Sequence, residues 1–156
     1  MGGKRQYVVK GTTFEVDDRY EVKKGVGQGA YGLICAAKDT SSEDQVCWSS
    51  NIVAPACTRA GSAAAIVQVA IKKISNAFED AIDCKRMLRE MRLLQHFKHE
   101  NVLCLKDIMM PNGGRIQDWK DVYLVTELLD TDLHYIIHSK QALSDDHIQY
   151  FVYQVM

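Results

Sequence analysis

An α+β lobe, an antiparallel sheet carrying one long helix, is the fold class that this 156-residue sequence predicts. Three observations predict it. β-prone runs come in pairs around turn signals, at Lys10-Gly11, at the cluster Gly25, Gly27, Gly29 and Gly32, and at Pro111-Asn112-Gly113-Gly114. One long stretch, residues 76–97, has apolar side chains close to helical spacing. The resulting order, β-β-β-α-β-β-α-α, is that of an α+β lobe.

Residues 7–16 (YVVKGTTFEV) read as a small hairpin turning at Lys10-Gly11. Residues 19–38 read as a second hairpin whose bend is the glycine cluster. VAIKKI, residues 69–74, reads as a buried strand. In the stretch 76–97 the expected inward positions are Ile82, Leu88, Met91, Leu94 and Phe97, with Lys85, Arg86, Arg89 and Arg92 mostly elsewhere on the wheel. Residues 102–109 and 121–128 form a third predicted hairpin. Short helices are expected at 132–138 and from Ser144 onward, with Ser144 as N-cap and Asp145 and Asp146 in the first turn.

Composition narrows the function classes. At 47% apolar and 25% charged, the chain has the makeup of a folded globular domain, which excludes disorder and collagen. Nineteen basic and twenty acidic residues leave a net charge of −1, so no global field recruits nucleic acid or an anionic membrane. The longest nearly apolar stretch, residues 63–71, falls short of the ~20 residues needed to span a bilayer. No secretory signal pattern opens the chain, which points to an intracellular address. Five cysteines, an odd number without C-x-x-C pairs, read as reduced thiols.

Gly27-Gln28-Gly29-Ala30-Tyr31-Gly32 is a G-x-G-x-x-G, and context decides what it can do. In a dinucleotide fold the last glycine opens a helix. Here Gly32 runs into Leu33-Ile34-Cys35-Ala36-Ala37-Lys38, a β-prone run without a helix cap, so the loop joins two strands. Such a hairpin can bring backbone N–H groups close to phosphates, or use glycine for its turns alone.

Together the motifs resemble the protein-kinase signature set. G-x-G-x-x-G-x-V corresponds to Gly27–Ile34, with Ile for Val, V-A-I-K to Val69-Ala70-Ile71-Lys72, and Leu88-Arg89-Glu90 lies on the following helix. The longer runs VAIKKISNAF, DCKRMLREMRLLQHFKHENV, DVYLVTELLDTDLHYII and ALSDDHIQYFVYQ resemble a mitogen-activated protein kinase of plant or protist type. The resemblance covers about 130 residues and implies a kinase upper lobe: a five-stranded antiparallel sheet plus one long helix, then the hinge and the first helices of the lower lobe. It implies an N-terminal extension at 1–19, the upper lobe at 20–127, and hinge plus lower-lobe start at 128–156.

The implied ligand is ATP. Gly27, Gly29 and Gly32 would cover the phosphates, Lys72 would meet them, and Glu90 would hold Lys72 in an ion pair. Ile34 and Ala70 would sandwich the adenine, with simple core packing as the competing reading. Thr126 falls at the gatekeeper position, and Glu127 to Leu129 would read the adenine edge with their backbone. Asp132 would accept from the ribose hydroxyls, or cap the helix it precedes. Arg86 and Arg89 would grip a phosphothreonine, or form a solvated basic face. No metal ligands are assigned among the five histidines.

The H-R-D loop, with its catalytic base, and the D-F-G motif do not occur in the 156 residues, so no catalytic residue is assigned and the magnesium ligands are expected in a missing lower lobe. The resemblance implies protein substrates, an upstream MAP kinase kinase, and a cytoplasmic and nuclear address. The second reading is a naturally short, non-catalytic module that binds nucleotide or competes for kinase partners. Ile148, Phe151, Val152 and Val155 form a helical stripe that nothing in the sequence follows to cover, so the chain reads as cut.

Residues 46–68 depart from the rest. They hold six alanines, two cysteines and one charge, against 38 charges in the other 133 residues. The segment reads as a retained intron: its 23 codons keep the frame, a valine codon begins with GT, and Gln68 ends in AG if its codon is CAG. A true loop insertion is the rival, since lengthening a loop costs little closure entropy.

Overall fold

The structure is a computed structural model that describes residues 3–29, 32–41, 67–110 and 119–156. Most of residues 46–68 and the turn at 111–114 therefore lie outside the described residues. Strands β1 (Lys4–Val9) and β2 (Thr12–Asp17) form the expected hairpin. Its turn has positive φ at both Lys10 (48°) and Gly11 (78°), the twist that suits a two-residue connection.

Strands β3 (Tyr20–Gly29), β4 (Gly32–Asp39), β5 (Val67–Ile74), β6 (Leu105–Met109) and β7 (Val122–Glu127) make one antiparallel sheet in the order β3-β4-β5-β7-β6. β5 starts two residues before the expected Val69: Val67 pairs with Asp39 and Gln68 with Lys38. The low-charge segment thus ends inside a strand. If residues 46–68 were spliced out, Gln45 would take the register position of Gln68 and the ladder would continue unbroken.

Helix α1 (Ala81–His96) begins five residues later than expected. Asp80 is its N-cap, accepting from the N–H groups of Ile82 (2.6 Å) and Asp83 (3.1 Å), and Asn76 ahead of it takes φ 53° in the turn leaving β5. Its inward stripe agrees with the expected one in part. Met91 packs on the core as expected, beside Cys84 and the buried Met87, whereas Ile82, Leu88 and Phe97 are 62%, 45% and 51% exposed. Unbranched methionine and small cysteine fill the uneven gap above the sheet, a role that ranking by hydrophobicity alone does not assign them.

Side chains alternate across the sheet and divide the interior into two layers. On β7, Val122 and Leu124 face α1, where they meet Ile74, Ala77 and Met87. Tyr123 and Val125 face the β1–β2 hairpin, whose Phe14 and Val16 are fully buried. Seating those two side chains contributes about 1.5–3 kcal/mol each. Helices α2 (Leu133–His138) and α3 (Asp145–Val155) follow. Ser144 caps α3 as expected, and His147 completes the box by accepting from the Ser144 N–H at 3.2 Å. On α3, Ile148, Val152 and Val155 are exposed, as the uncovered stripe predicts.

Cys35 and Cys84 are free thiols, as expected, and Cys47 and Cys57 lie outside the described residues. No helix of the described residues is long and apolar enough to cross a membrane.

Two buried groups set an alkaline limit. Burial pushes the Cys35 thiol up to about 12, and burial together with the Asp107 charge holds the Tyr20 phenol well above its ordinary value. Both groups lose their protons more readily in the unfolded chain, so unfolding releases protons at high pH and stability falls as pH rises. Urea midpoints are expected to be flat up to about pH 8.5 and to decline above it, where unfolded thiols begin to ionise. A midpoint that rises between about pH 9 and pH 11 would contradict this.

Candidate functional site

Pairing of β3 with β4 runs from Tyr20↔Asp39 to Gly29↔Gly32, which brings the glycine run to the tip of a hairpin. The three glycines of the motif differ in what requires them. Gly32 has φ 149°, and a Cβ there would lie 1.8 Å from the Lys73 carbonyl oxygen. The fold itself demands this glycine. Among the described residues, Gly27 meets nothing within 4 Å and Gly29 meets the Gly32 carbonyl alone, at 3.9 Å. Their missing side chains leave open space beside the backbone, which a ligand can fill.

Strand alternation sends Lys72 towards α1 and Lys73 to the opposite face. Lys72 stands in the middle of the sheet, in register with Ile34 on β4 and Leu124 on β7. Its Nζ donates to Glu90 Oε1 on α1 at 2.7 Å. Glu90 lies in the wall of a cavity of about 440 Å3 that also includes Gln28, Gly29, Gly32, Arg86 and Met87. The expected pair is therefore assembled next to the glycine tip, with a cationic donor and an open backbone on either side.

A second cavity, of about 330 Å3, is lined by Val26, Ala36, Gln68, Leu128, Leu129 and Asp130, with Lys23, Lys24 and Lys38 around it. The register puts Ala36, Ala70 and Thr126 in one row across β4, β5 and β7. Residues opposite one another share a face, so this row is a floor of small side chains that suits a flat ring. Ile34 belongs to the neighbouring row, beside Lys72. Sequence reasoning missed Val26 and Ala36. The signal was present in Val26, the apolar residue directly before Gly27, and in Ala36, two positions beyond Ile34 on the same strand face.

The chain leaving β7 is held by reciprocal contacts. Glu127 N–H donates to the Cys104 carbonyl at 3.4 Å, and Cys104 N–H donates to Glu127 Oε1 at 3.0 Å. The Thr126 hydroxyl donates to the Glu127 carbonyl at 3.2 Å. These bonds fix the Glu127 peptide directly before Leu128, which lines the second cavity. Asp132 caps α2 by accepting from Tyr135 N–H at 2.7 Å, and it is Asp130 that lines the cavity. Arg86 lines the larger cavity, 3.3 Å from Asp83, whereas Arg89 is exposed and lines neither. Of the expected site residues, Gly29, Gly32, Arg86 and Glu90 line the larger cavity and Leu129 lines the second, whereas Gly27, Ile34, Ala70, Lys72, Thr126, Glu127, Asp132 and Arg89 line neither, Lys72 being tied to the larger cavity through Glu90.

The model of the protein kinase domain matches residues 56–156. The chain belongs to the protein kinase family. Its sheet and α1 are the upper lobe of the kinase fold. Within the kinases it is similar to extracellular signal-regulated kinase 1 of Dictyostelium discoideum, 47% identical over 150 residues that cover 96% of this chain and 24% of that protein. It is 45% identical to mitogen-activated protein kinase homolog NTF3 of Nicotiana tabacum over 99% of this chain and 35% of the relative. Mitogen-activated protein kinase 2 of Arabidopsis thaliana is likewise 45% identical, over 99% of this chain and 34% of the relative. The chain spans about a quarter to a third of the length of the curated relatives it matches.

Proposed function

We propose that this chain is the ATP-binding lobe of a serine/threonine protein kinase of the mitogen-activated type, which transfers the γ-phosphoryl group of ATP to protein hydroxyls. The Lys72–Glu90 ion pair beside the glycine tip carries the reading. Adenine rests on the Ala36, Ala70 and Thr126 row with Val26 beside it; Ile34 shares that face and so flanks the ring instead of closing a sandwich with Ala70, and the Glu127 carbonyl and Leu129 N–H read its edge. Lys72 meets the α- and β-phosphates as a point charge held in place by Glu90. Gly27 and Gly29 let backbone N–H groups approach the phosphates. Asp132 has a second carboxylate oxygen to offer the ribose once α2 is capped by the first.

Arg86 and Arg89 are proposed to receive a phosphothreonine. Activation by an upstream kinase, protein substrates and a cytoplasmic and nuclear address belong to the same proposal. Magnesium does not fit the residues at this site. The carboxylates at the larger cavity are Asp83 and Glu90, which pair with Arg86 and Lys72. No group of three or more side chains able to hold a metal occurs among the described residues. Magnesium ligands and the catalytic base are proposed to come from segments outside these 156 residues, so the isolated chain is expected to transfer no phosphate.

Titration with a fluorescent ATP analogue, displaced by ATP or adenosine, tests the reading. Gly29→Ala places a methyl group where the structure is open, so thermal stability is expected to stay within about 1 kcal/mol while ATP affinity drops about tenfold. Equal displacement by ATP and adenosine, or a Gly29→Ala variant that binds ATP normally, would contradict the placement of phosphates at this tip.

A further inference from the structure

The β1–β2 hairpin is more than a cover for the sheet. Its Thr12 lies in the wall of the larger cavity, beside Gln28, Gly29 and Gly32. At the other end of the glycine run, Val9 Cγ1 and Lys10 Cε approach to 3.1 and 3.2 Å of where a Gly25 Cβ would stand. The hairpin therefore follows the glycine strand from Gly25 to its tip.

Lys73 fastens it there. Its Nζ donates to the Thr13 carbonyl at 2.7 Å and pairs with Asp121 at 2.8 Å, over the Tyr123 ring at 5.8 Å. The Tyr123 hydroxyl accepts from Glu15 N–H at 3.2 Å, so a second contact fixes the same strand. Burial works to lower the Lys73 pKa, but the hydrogen bond to Asp121 and the charges of Tyr123 and Asp121 outweigh it and leave the group above its ordinary value. It is a cation throughout the neutral range. The carbonyl of the same residue is the atom packed against Gly32. Lys73 thus touches the hairpin with its side chain and the glycine tip with its backbone.

We propose that the β1–β2 hairpin is a positioning element for the glycine tip, that Lys73 is the positioning residue that holds it, and that Thr12 closes the phosphate end of the cavity. The nucleotide part of this proposal rests on reading the cavity as an ATP site. Lys73→Met, Lys73→Arg and Thr12→Glu test it, with binding of ATP and adenosine and amide hydrogen exchange measured for each variant. Lys73→Met is expected to speed exchange in residues 12–17, 25–29 and 32–36, and to weaken ATP about tenfold while leaving adenosine unchanged. Lys73→Arg keeps a cationic donor and is expected to recover most of the affinity. Thr12→Glu, a surface change, should leave the melt unchanged and weaken ATP about tenfold by like-charge repulsion, again sparing adenosine. Equal loss of both ligands, or normal ATP binding with unchanged exchange in residues 25–36, overturns the proposal. A wild-type chain that binds no ATP overturns the ATP reading instead, and the exchange data then decide by themselves whether the hairpin orders the tip.

Discussion

Replacing Lys72 by methionine is expected to weaken ATP binding by about 10–100-fold while moving the melting temperature by no more than ~4 °C. The two effects separate because of where the pair sits. Lys72 and Glu90 side chains are 25% and 42% exposed, and an ion pair in that setting contributes about 0–1 kcal/mol to folding. On the proposed reading its loss costs the ligand more, because the variant removes the cation that would meet the phosphates and also leaves the Glu90 carboxylate unpaired next to them. Replacing Glu90 by glutamine keeps an acceptor for Lys72 and removes the negative charge, so its effect should be smaller. The double variant should lose less than the sum of the two, as contacting residues do. Equal affinity of Lys72→Met and wild type would mean that the pair belongs to the fold alone.

Gly32→Ala is expected to damage the fold itself, by about 3 kcal/mol or more, or roughly 6–12 °C of melting temperature. A Cβ at this position would lie 1.8 Å from the Lys73 carbonyl oxygen and 2.9 Å from its carbon, at a φ of 149° that side chains rarely adopt. Neither atom can swing aside, since both belong to β5 where it pairs with β4. The first residues of β4 must then part from β5, and the glycine tip moves with them. Gly29→Ala, three residues earlier in the same motif, is expected to leave the melt nearly unchanged. If thermal melts of the two variants coincide, the distinction between a glycine required by the fold and one required by the ligand fails.

Much of this was legible from local signals. The hairpin at Lys10-Gly11, the glycine hairpin, the buried VAIKKI run, the Ser144 cap and the Lys72–Glu90 pair each announce themselves by turn residues, alternation or motif spacing. Helix α1 was readable in existence but not in orientation. Leu88 and Ile82 outrank Met87 and Cys84 in hydrophobicity, yet the sheet leaves room for the flexible and the small side chain, and that shape is a tertiary property. Lys73 was missed although period-two alternation already put it opposite Lys72. Its partners Thr13 and Asp121 lie 60 and 48 residues away, so nothing local marks a buried cation there. Val26 and Ala36 were missed because an exposed valine and a small alanine carry no chemistry until a cavity is known.

On the proposed reading, the glycine tip and the Lys72–Glu90 pair together form the phosphate end of an ATP site. An ATP analogue carrying an acyl phosphate at its terminal phosphoryl group transfers that acyl group to whichever lysine amine stands next to the phosphates, and peptide mapping identifies the residue. Lys72 is expected to carry a label that excess ATP suppresses and adenosine does not. A label on Lys23, Lys24 or Lys38 around the second cavity, where the adenine is placed, or no label that ATP suppresses, would contradict it.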